Sequence, residues 1–504
     1  MIKKQFLPIS VLISSSCFYI YSLAPTIIGG DSSMFCINIK NLILHFGKAD
    51  DHPLYMIIGK IFSLLPFDLA YNINLMSAIF GSFTVLCVFL IIQHINDDQY
   101  AALFGAFALM VSHAFWLHSV IAEVYTLNAL FIAGLLYLTI NKINVWNIKF
   151  IFPVIFLIGL FNHLILILSL PSFLLYFFLI SNKEKRKEFL KCMIILSVIG
   201  VIAIFLITIF YHDVLWKYIK GPPPIYMYIL PPQNLIFLMK ETLFYFLYLS
   251  YQFPLLGIVW ILFGIHQLWG KNKAVTVLLL TIVILNALFF IKTTYWNSYG
   301  GTKYTFYISD YVIWSIFYGS GFIKLTHLIT IIIRKFYCLE NRPQIYSVVR
   351  TIIVFSFTGL TILIYSLIPT IVTHFNIDIV HARSLKYRDN NTFFLNPNKR
   401  GYLGNRKLGE EILQNCKKDA IVLADFTIYS ILAYLQQIEN KRTDLTLIHL
   451  GERIKIKNIA DKVKKENAKR VIYIADKNFY YNLFEFESKY TLNQSGPIYE
   501  IIQK

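Results

Sequence analysis

Residues 6–24, FLPISVLISSSCFYIYSLA, form an apolar run long enough to cross a bilayer as one helix. Comparable runs recur along the 504 residues, of which 57% are hydrophobic and 15% charged. These features predict a polytopic α-helical membrane protein whose first span is not cleaved off. The predicted spans, about eleven, lie near residues 6–24, 72–93, 100–112, 118–140, 150–161, 164–181, 192–210, 253–269, 274–291, 305–323 and 346–370.

The positive charge of the chain follows the gaps between these spans. The formal net charge is +18, but the lysines and arginines sit mostly between apolar runs, as expected of loops that face the cytoplasm and anionic lipid. The abundance of Ile, Lys, Asn and Phe suits an AT-rich bacterial genome. We therefore expect an integral protein of the bacterial inner membrane with a cytoplasmic N-terminus, in contact with membrane lipid and without a nucleic-acid partner.

An odd number of spans leaves three long segments on the outer face, residues 25–71, residues 211–252 and the tail after about residue 371. In the first segment, apolar side chains repeat at helical spacing, which predicts an amphipathic helix lying flat in the membrane interface. In the second, a glycine and five prolines predict a shaped loop without continuous helix. The residues of that amphipathic face are Phe35, Ile39, Leu42 and Phe46.

The tail changes character and is predicted to be a separate domain. We divide the chain into a transmembrane domain, residues 1–375, and an extracytoplasmic α/β domain, residues 376–504, with a small parallel sheet. The tail lacks a G-x-G-x-x-G or P-loop pattern, so no nucleotide site is predicted. The predicted strands are 420–424, 445–450, 470–474 and 498–502, and the predicted helices are 408–414, 428–438, 460–466 and near 479–486.

Two acidic clusters in the first outer segment are the leading candidates for chemistry. The sequence GGDSS occupies residues 29–33 and DDHPLY residues 50–55. Asp31 is either a helix N-cap or a general base for a sugar-accepting hydroxyl. Asp51 and His52 form either a solvated turn before a helix or, with Tyr55, the wall of the same outer pocket.

Polar residues inside later apolar runs extend the candidate site. In SHAFWLHSVIAEVYTLN, residues 112–128, Glu123 and Tyr125 interrupt a predicted helix, and a buried carboxylate there favours a functional role. Asn162 and His163 form a polar break between two spans, and they are either part of a loop or a contact to the substrate. Two lysines that flank an outer loop, Lys292 and Lys303, either hold a lipid phosphate or snorkel to the interface.

These segments together resemble a known family. The chain resembles the bacterial membrane proteins related to the animal transmembrane O-mannosyltransferase that modifies receptor IPT domains, within the GT-C glycosyltransferase superfamily. The likeness runs in order along nearly the whole chain. It is carried by GGDSS (29–33), HPLY (52–55), NINLMSAIFG (72–81), FWLHSVIAEVYTLNALF (115–131), the pair Asn162 and His163, KYTFYISDYVIW (303–314), YRDNN (387–391), DAIVLADF (419–426) and YLQQIENKRTDLTLIHL (434–450).

The resemblance implies a GT-C-like enzyme that takes a sugar from a polyprenyl-phosphate donor at the outer face, with inversion and an acid of the first outer loop as base. Asp31 matches that acid. The implied acceptor is a hydroxyl of a protein or glycan, and neither a metal nor a cofactor beyond the lipid-linked donor is expected. Met34 stands where the family commonly has Glu, and the fuller HPPGYPLY is absent. These departures leave open a shifted acid (Asp50 or Asp51), a changed acceptor or an inactive member.

Two other classes of function remain as alternatives. A lipid-linked-sugar transporter or flippase would use Glu123 and Asp310 as coupling residues within the membrane. The sequence shows no paired halves of the kind many transporters have. A non-catalytic subunit of an envelope-glycan assembly system is the other alternative, and the missing Glu favours it.

Overall fold

A computed structural model describes residues 6–44, 51–141, 145–181, 234–292, 303–337, 343–450, 470–477 and 490–504. The predicted span at 192–210, the proline-rich part of the second outer segment, Asp50 and the tail helices predicted at 460–466 and 479–486 lie outside these residues.

The transmembrane part is built from helices that pack through one large apolar core. Four helices are long and apolar enough to cross a membrane, and two bent pairs raise that number to six among the described residues. The predicted number of about eleven stays a prediction. The helices are α1 Leu7–Tyr21, α2 Asp31–Asn41, α3 Pro53–Phe62, α4 Leu69–Asn96, α5 Gln99–Val111, α6 His113–Ser119, α7 Tyr125–Ile140, α8 Val145–Asn162, α9 Leu170–Ile180, α10 Leu235–Gln252, α11 Gly257–Lys271, α12 Lys273–Lys292, α13 Ile308–Tyr337 and α14 Pro343–His374, with 3₁₀ turns at Leu164–Ser169 and Lys303–Tyr307.

Two sequence predictions about these helices are wrong. The span predicted at 118–140 is interrupted, because α6 ends at Ser119 and α7 begins at Tyr125. Backbone groups freed by this break find partners inside the protein, since the Val120 carbonyl accepts from the Ala24 amide at 3.0 Å. The loop predicted over 211–252 contains helix α10, whose N-cap Asn234 follows the last proline of that segment.

The amphipathic helix predicted in the first outer segment is α2, with a shorter apolar face than expected. Ile39 is fully buried, whereas Leu42 is 45% exposed. Leu42 ends the helix in a left-handed conformation, φ 49°. The buried side of α2 packs against α3 and a helix of the tail.

The tail forms an α/β layer around a five-stranded sheet of order β2-β1-β3-β5-β4. Strand β1 pairs in parallel with β2 and β3, while β5 is antiparallel to β3 and β4. The prediction of a parallel sheet is therefore wrong for its last two strands, which form a hairpin closed by Gly496 at φ 61°. The elements are α15 Asn390–Leu395, α16 Gly404–Asn415, β1 Ile421–Asp425, α17 Phe426–Gln437, β2 Thr446–Leu450, β3 Ile472–Ile474, β4 Tyr490–Ser495 and β5 Ile498–Gln503.

A second apolar core joins the α/β layer to the first outer segment. Ile39 of α2, Tyr55 of α3 and Ile73 of α4 belong to it, and so do Ile412 of α16 and Ile431 of α17. Each of these five side chains is fully buried. The two parts of the chain therefore share a continuous interior, and the tail rests on the segment that carries the candidate acids.

Candidate active site

Asp31 is presented at the start of α2 by a turn that glycine adopts readily. Gly29 and Gly30 have φ of 84° and 62°, a left-handed conformation that other residues rarely take. Gly30 occupies the cap position without a side-chain cap, and Asp31 is the first residue of the helix, exposed to solvent. Asp31 is therefore not the N-cap residue, which was the alternative interpretation of its role.

Two side chains of the α/β layer form hydrogen bonds to the backbone of this turn and hold it in place. The Gly30 amide donates a 2.8 Å hydrogen bond to Ser430 Oγ of α17. Asn405 of α16 donates from its side chain to the Ile28 carbonyl. A side chain at Gly29 would lie 3.2 Å from Ile431, so the turn is packed closely against α17. The position of Asp31 thus depends on residues about 400 positions away in the sequence.

His52 begins α3 and joins it to the polar break after α8. Its Nδ1 lies 2.6 Å from the Asn162 carbonyl oxygen. Because a carbonyl can only accept, His52 Nδ1 carries a proton in this contact. The His52 ring is buried and lies 4.8 Å from the His163 ring, centroid to centroid.

His163 has the opposite tautomer. Its Nδ1 accepts a 3.2 Å hydrogen bond from the Ile165 amide, capping the 3₁₀ turn that follows. The proton of the neutral ring therefore sits on Nε2. Burial lowers the pKa of His163 well below its usual value, and His52 lowers it further. His163 is thus a neutral hydrogen-bond donor through Nε2.

Glu123 lies in the break between α6 and α7 and is held there by Ser77 of α4. Ser77 Oγ accepts from the Glu123 amide at 3.3 Å and lies 3.4 Å from the Glu123 carbonyl oxygen. Tyr55 Oη lies 3.5 Å from the same hydroxyl. Ser77 therefore links α3, α4 and the break, although sequence analysis assigned no role to this polar residue within an apolar span.

Tyr125 connects these groups to the far side of the site. Its ring lies 5.6 Å from His163, 5.1 Å from His118 and 5.9 Å from Phe306. Its hydroxyl is hydrogen-bonded to Thr305. Both ring nitrogens of His118 are buried without a hydrogen-bond partner among the described residues. Sequence analysis assigned no role to His118 or Thr305.

Two carboxyl groups with different surroundings meet at this point. Burial raises the pKa of Glu123 well above its usual value, and the charge of Asp31 raises it further. Asp31 itself is exposed. Burial therefore favours the protonated form of one acid, while the other is open to solvent, and such a difference lets two acids take different chemical roles.

The structure connects seven of the ten predicted site residues to one another through contacts or charge interactions. Asp51 is half-buried just before His52. Lys303 is fully buried and forms a 2.5 Å ion pair with Glu241 of α10, and Lys292 ends α12 half-buried. The residues joined by the contacts above are Asp31, His52, Tyr55, Glu123, Tyr125, Asn162 and His163.

A family model matches part of the N-terminal half of the chain. Residues 43–187 match the Protein O-mannosyl-transferase TMEM260 N-terminal domain. The Protein O-mannosyl-transferase tmem260 of Dictyostelium discoideum is 29% identical over 146 residues, 27% of this chain and 17% of that protein. Its counterpart TMEM260 of Mus musculus is 26% identical over 136 residues, 26% of this chain and 19% of that protein. The alignments thus span less than a fifth of the length of these relatives.

Similarity to solved structures covers the whole chain. ArnT from Cupriavidus metallidurans bound to undecaprenyl phosphate has a TM-score of 0.59 and 9% identity, covering 98% of this chain and 97% of that one. The apo structure of the same protein has a TM-score of 0.57 and 10% identity. Identity this low shows the fold alone. The resemblance drawn from the sequence is confirmed for residues 43–187, which are similar to the TMEM260 O-mannosyl-transferase N-terminal domain, and nearly the whole chain shares the fold of ArnT.

Proposed function

We propose that the protein is an inverting glycosyltransferase that moves mannose or a similar hexose from a polyprenyl-phosphate donor to a hydroxyl acceptor at the outer face of the membrane. The observation that carries this proposal is the pair of acids at one site, Asp31 exposed and Glu123 buried. The similarity to O-mannosyl-transferases and to the ArnT fold supports the same reaction class.

Asp31 is the proposed base. Its carboxylate takes the proton from the acceptor hydroxyl, and the acceptor oxygen attacks the anomeric carbon from the side opposite the phosphate. The bond between that carbon and the phosphate oxygen breaks, and its electron pair leaves with the polyprenyl phosphate. The new glycosidic bond therefore has inverted configuration. Asp51 is the alternative base if the acceptor approaches from α3.

The buried donors around Asp31 are proposed to hold the sugar. Protonated Glu123 and the Nε2–H of His163 can each donate to a sugar hydroxyl, while Asn162 offers a side-chain oxygen without a partner among the described residues. His52, Tyr55 and Tyr125 complete the wall of this subsite. Donors preorganised in a site that excludes water stabilise a transition state more than donors in bulk solvent.

The donor's lipid and phosphate are proposed to bind at the helices beside this site. ArnT has been solved with undecaprenyl phosphate, which supports a polyprenyl carrier for a chain of the same fold. Lys303 and Lys292 remain the proposed phosphate contacts. In this proposal the α/β layer lies outside the cell and the acceptor is either a protein Ser or Thr or an envelope glycan.

Sugar transfer by purified protein tests the proposal. Protein in detergent is incubated with radiolabelled undecaprenyl-phosphate mannose or glucose and a cell-envelope extract, with the matching nucleotide sugar as the control donor. We expect label in the acceptor fraction from the lipid-linked donor only. Transfer from the nucleotide sugar, or none from a protein shown to be folded, would contradict the proposal. Movement of the lipid-linked sugar across sealed vesicles without product would indicate the transporter instead.

A further inference from the structure

A cavity lies at the junction between the first outer segment and the α/β layer, away from Asp31. Its volume is about 490 Å³, within the range of about 300–1,000 Å³ that is usual for small-molecule sites. None of its lining residues belongs to the candidate active site. The cavity is lined by Lys40, Ser63, Phe67, Asp68, Leu69, Arg406, Tyr434, Ile438 and Glu439.

One wall of this cavity is rigid and polar. Arg406 of α16 donates two 2.7 Å hydrogen bonds to the two carboxylate oxygens of Glu439. It also donates to Glu410 at 3.1 Å and to the Thr26 hydroxyl at 3.1 Å. These four hydrogen bonds leave Arg406 one N–H group for a ligand, and the Glu439 carboxylate, which also pairs with Lys441 at 3.0 Å, keeps lone pairs that can accept.

Two other lining residues, Asp68 and Lys40, carry charges that are not paired with each other. Within the described part of the chain, the Asp68 carboxylate and the Lys40 ammonium form no ion pair and no side-chain hydrogen bond. Phe67 stands at the rim with 59% of its surface exposed. The cavity therefore combines both signs of charge with an open aromatic ring.

The mixed charges and the exposed aromatic ring of the cavity indicate which class of ligand it can bind. An anion would meet Asp68 and Glu439, and a cation would meet Lys40 and Arg406, so a charged ligand is opposed by one set of groups. A neutral polyol avoids this opposition, because each hydroxyl both donates to carboxylates and accepts from cations. The exposed ring of Phe67 can cover the apolar face of a sugar.

We infer that this cavity binds a neutral saccharide and serves as the acceptor-side subsite of the proposed glycosyltransferase. The second half of this statement rests on the proposed function, and the first half does not. Lys40 lies nine residues after Asp31 on α2, which corresponds to about 14 Å along the helix. A saccharide seated in the cavity would thus be anchored at one end of α2 while its growing end reaches the acid at the other.

Binding of purified protein to an array of neutral and acidic oligosaccharides tests the saccharide site without any need for transfer. We expect retention of at least one neutral glycan, reduced at least tenfold in Asp68→Asn and in Lys40→Gln. The matched controls are Asp378→Asn and Lys407→Gln, which change exposed side chains outside the cavity and should bind as wild type. Circular dichroism and gel filtration verify the fold of each variant.

The outcomes separate the two proposals. No glycan bound, only acidic glycans bound, or binding equal in the cavity variants and the controls would overturn the saccharide site, whatever the transfer assay shows. Neutral-glycan binding lost in the cavity variants supports it, even if transfer is never observed, in which case the proposed function fails alone. If transfer occurs, Asp68→Asn should raise KM for a glycan acceptor and leave kcat unchanged.

Discussion

Glu123 gives a residue-scale prediction because its protonation differs between the folded and unfolded chain. Its pKa is raised on folding, so above about pH 4.5 the folded state binds more protons than the unfolded state. The unfolding free energy then falls as pH rises, by at most about 1.4 kcal/mol per pH unit. Glu123→Gln removes this dependence. We expect the wild type to lose thermal stability towards alkaline pH more steeply than the variant, measured by intrinsic fluorescence in detergent.

The same variant tests the role of Glu123 in transfer. Gln keeps a hydrogen-bond donor, whereas Ala does not, and loss of one transition-state donor commonly costs about 10²–10³ in rate. Transfer should therefore fall much further in Glu123→Ala than in Glu123→Gln. If both variants lose transfer equally, and if the stability of wild type and Glu123→Gln changes with pH in parallel, the ionised carboxylate would be the form of Glu123 that acts in transfer.

Lys303 gives a second residue-scale prediction, because its ion pair with Glu241 competes with its proposed phosphate role. Removing one partner of a buried pair costs about 3–5 kcal/mol, since it leaves an uncompensated charge, whereas replacing both with apolar residues is often neutral. We expect Lys303→Met to be unstable and Lys303→Met with Glu241→Met to be stable again. If Lys303 binds phosphate, the stable double variant still lacks transfer. A double variant with wild-type transfer would assign Lys303 a structural role only.

At the scale of single residues, sequence reasoning found the groups that are unusual for their surroundings. Glu123 and the pair Asn162 and His163 stand out as polar residues among apolar ones, and the structure joins them to Asp31. Ser77 and Ser430 are ordinary residues whose importance comes from contacts with distant parts of the chain, at separations of 46 and 400 positions. No local pattern marks such residues.

Helices α11 and α13 give an element-scale prediction, because they touch through glycine. A Cβ at Gly321 would lie 1.9 Å from the Trp260 carbonyl oxygen, and one at Gly264 would lie 1.7 Å from the Phe317 carbonyl oxygen. Since backbone cannot give way as a side chain can, the helices must separate to admit a methyl group. We expect Gly321→Ala to lose about 1–3 kcal/mol of stability, measured as a lower unfolding temperature in detergent.

Gly270 provides the matched control on α11. A Cβ there has no neighbour within 4 Å, and Ala is the better helix former. Gly270→Ala should therefore unfold at the wild-type temperature or slightly above. A loss in Gly270→Ala as large as that in Gly321→Ala would show that the two helices are not held by close glycine contact.

The element-scale errors of the sequence analysis have a common physical origin. Hydropathy indicated an apolar run through residues 118–140 but did not reveal the break at 120–124. Partners on other helices, such as Ser77, form hydrogen bonds with the backbone groups that the break leaves free. The prolines indicated a loop before Asn234, but they did not indicate the helix that begins after it. Strand β4, and with it the final hairpin, was missed because β4 is polar and only its first residue is buried.

The whole molecule couples the α/β layer to the candidate base, and this coupling is testable. Ser430→Ala removes the hydrogen bond to the Gly30 amide and leaves the shared apolar core in place. A typical hydrogen bond contributes about 0.5–1.5 kcal/mol, so we expect a small stability change but a clear fall in transfer, since Asp31 is the next residue. Ser495→Ala, in β4 of the same layer, is the control. Unchanged transfer in Ser430→Ala would show that the layer does not position Asp31.

At this scale the sequence predicted the fold class, the α/β character of the tail and the family resemblance. It did not predict that the tail and the first outer segment share one core, because that contact joins residues from Ile39 to Ile431. It also did not predict the cavity between them. The shared core and the cavity both depend on how the helices and strands pack against one another, and hydropathy and motif spacing do not encode that packing.

Asp31 is the proposed base of a sugar transfer from a polyprenyl-phosphate donor. The most direct measurement compares transfer of label from undecaprenyl-phosphate mannose and glucose by wild type, Asp31→Asn and the exposed control Asp378→Asn, all purified in detergent with verified fold. We expect transfer by wild type and the control, and a loss of at least a hundredfold in Asp31→Asn. Transfer that survives in Asp31→Asn would contradict the claim.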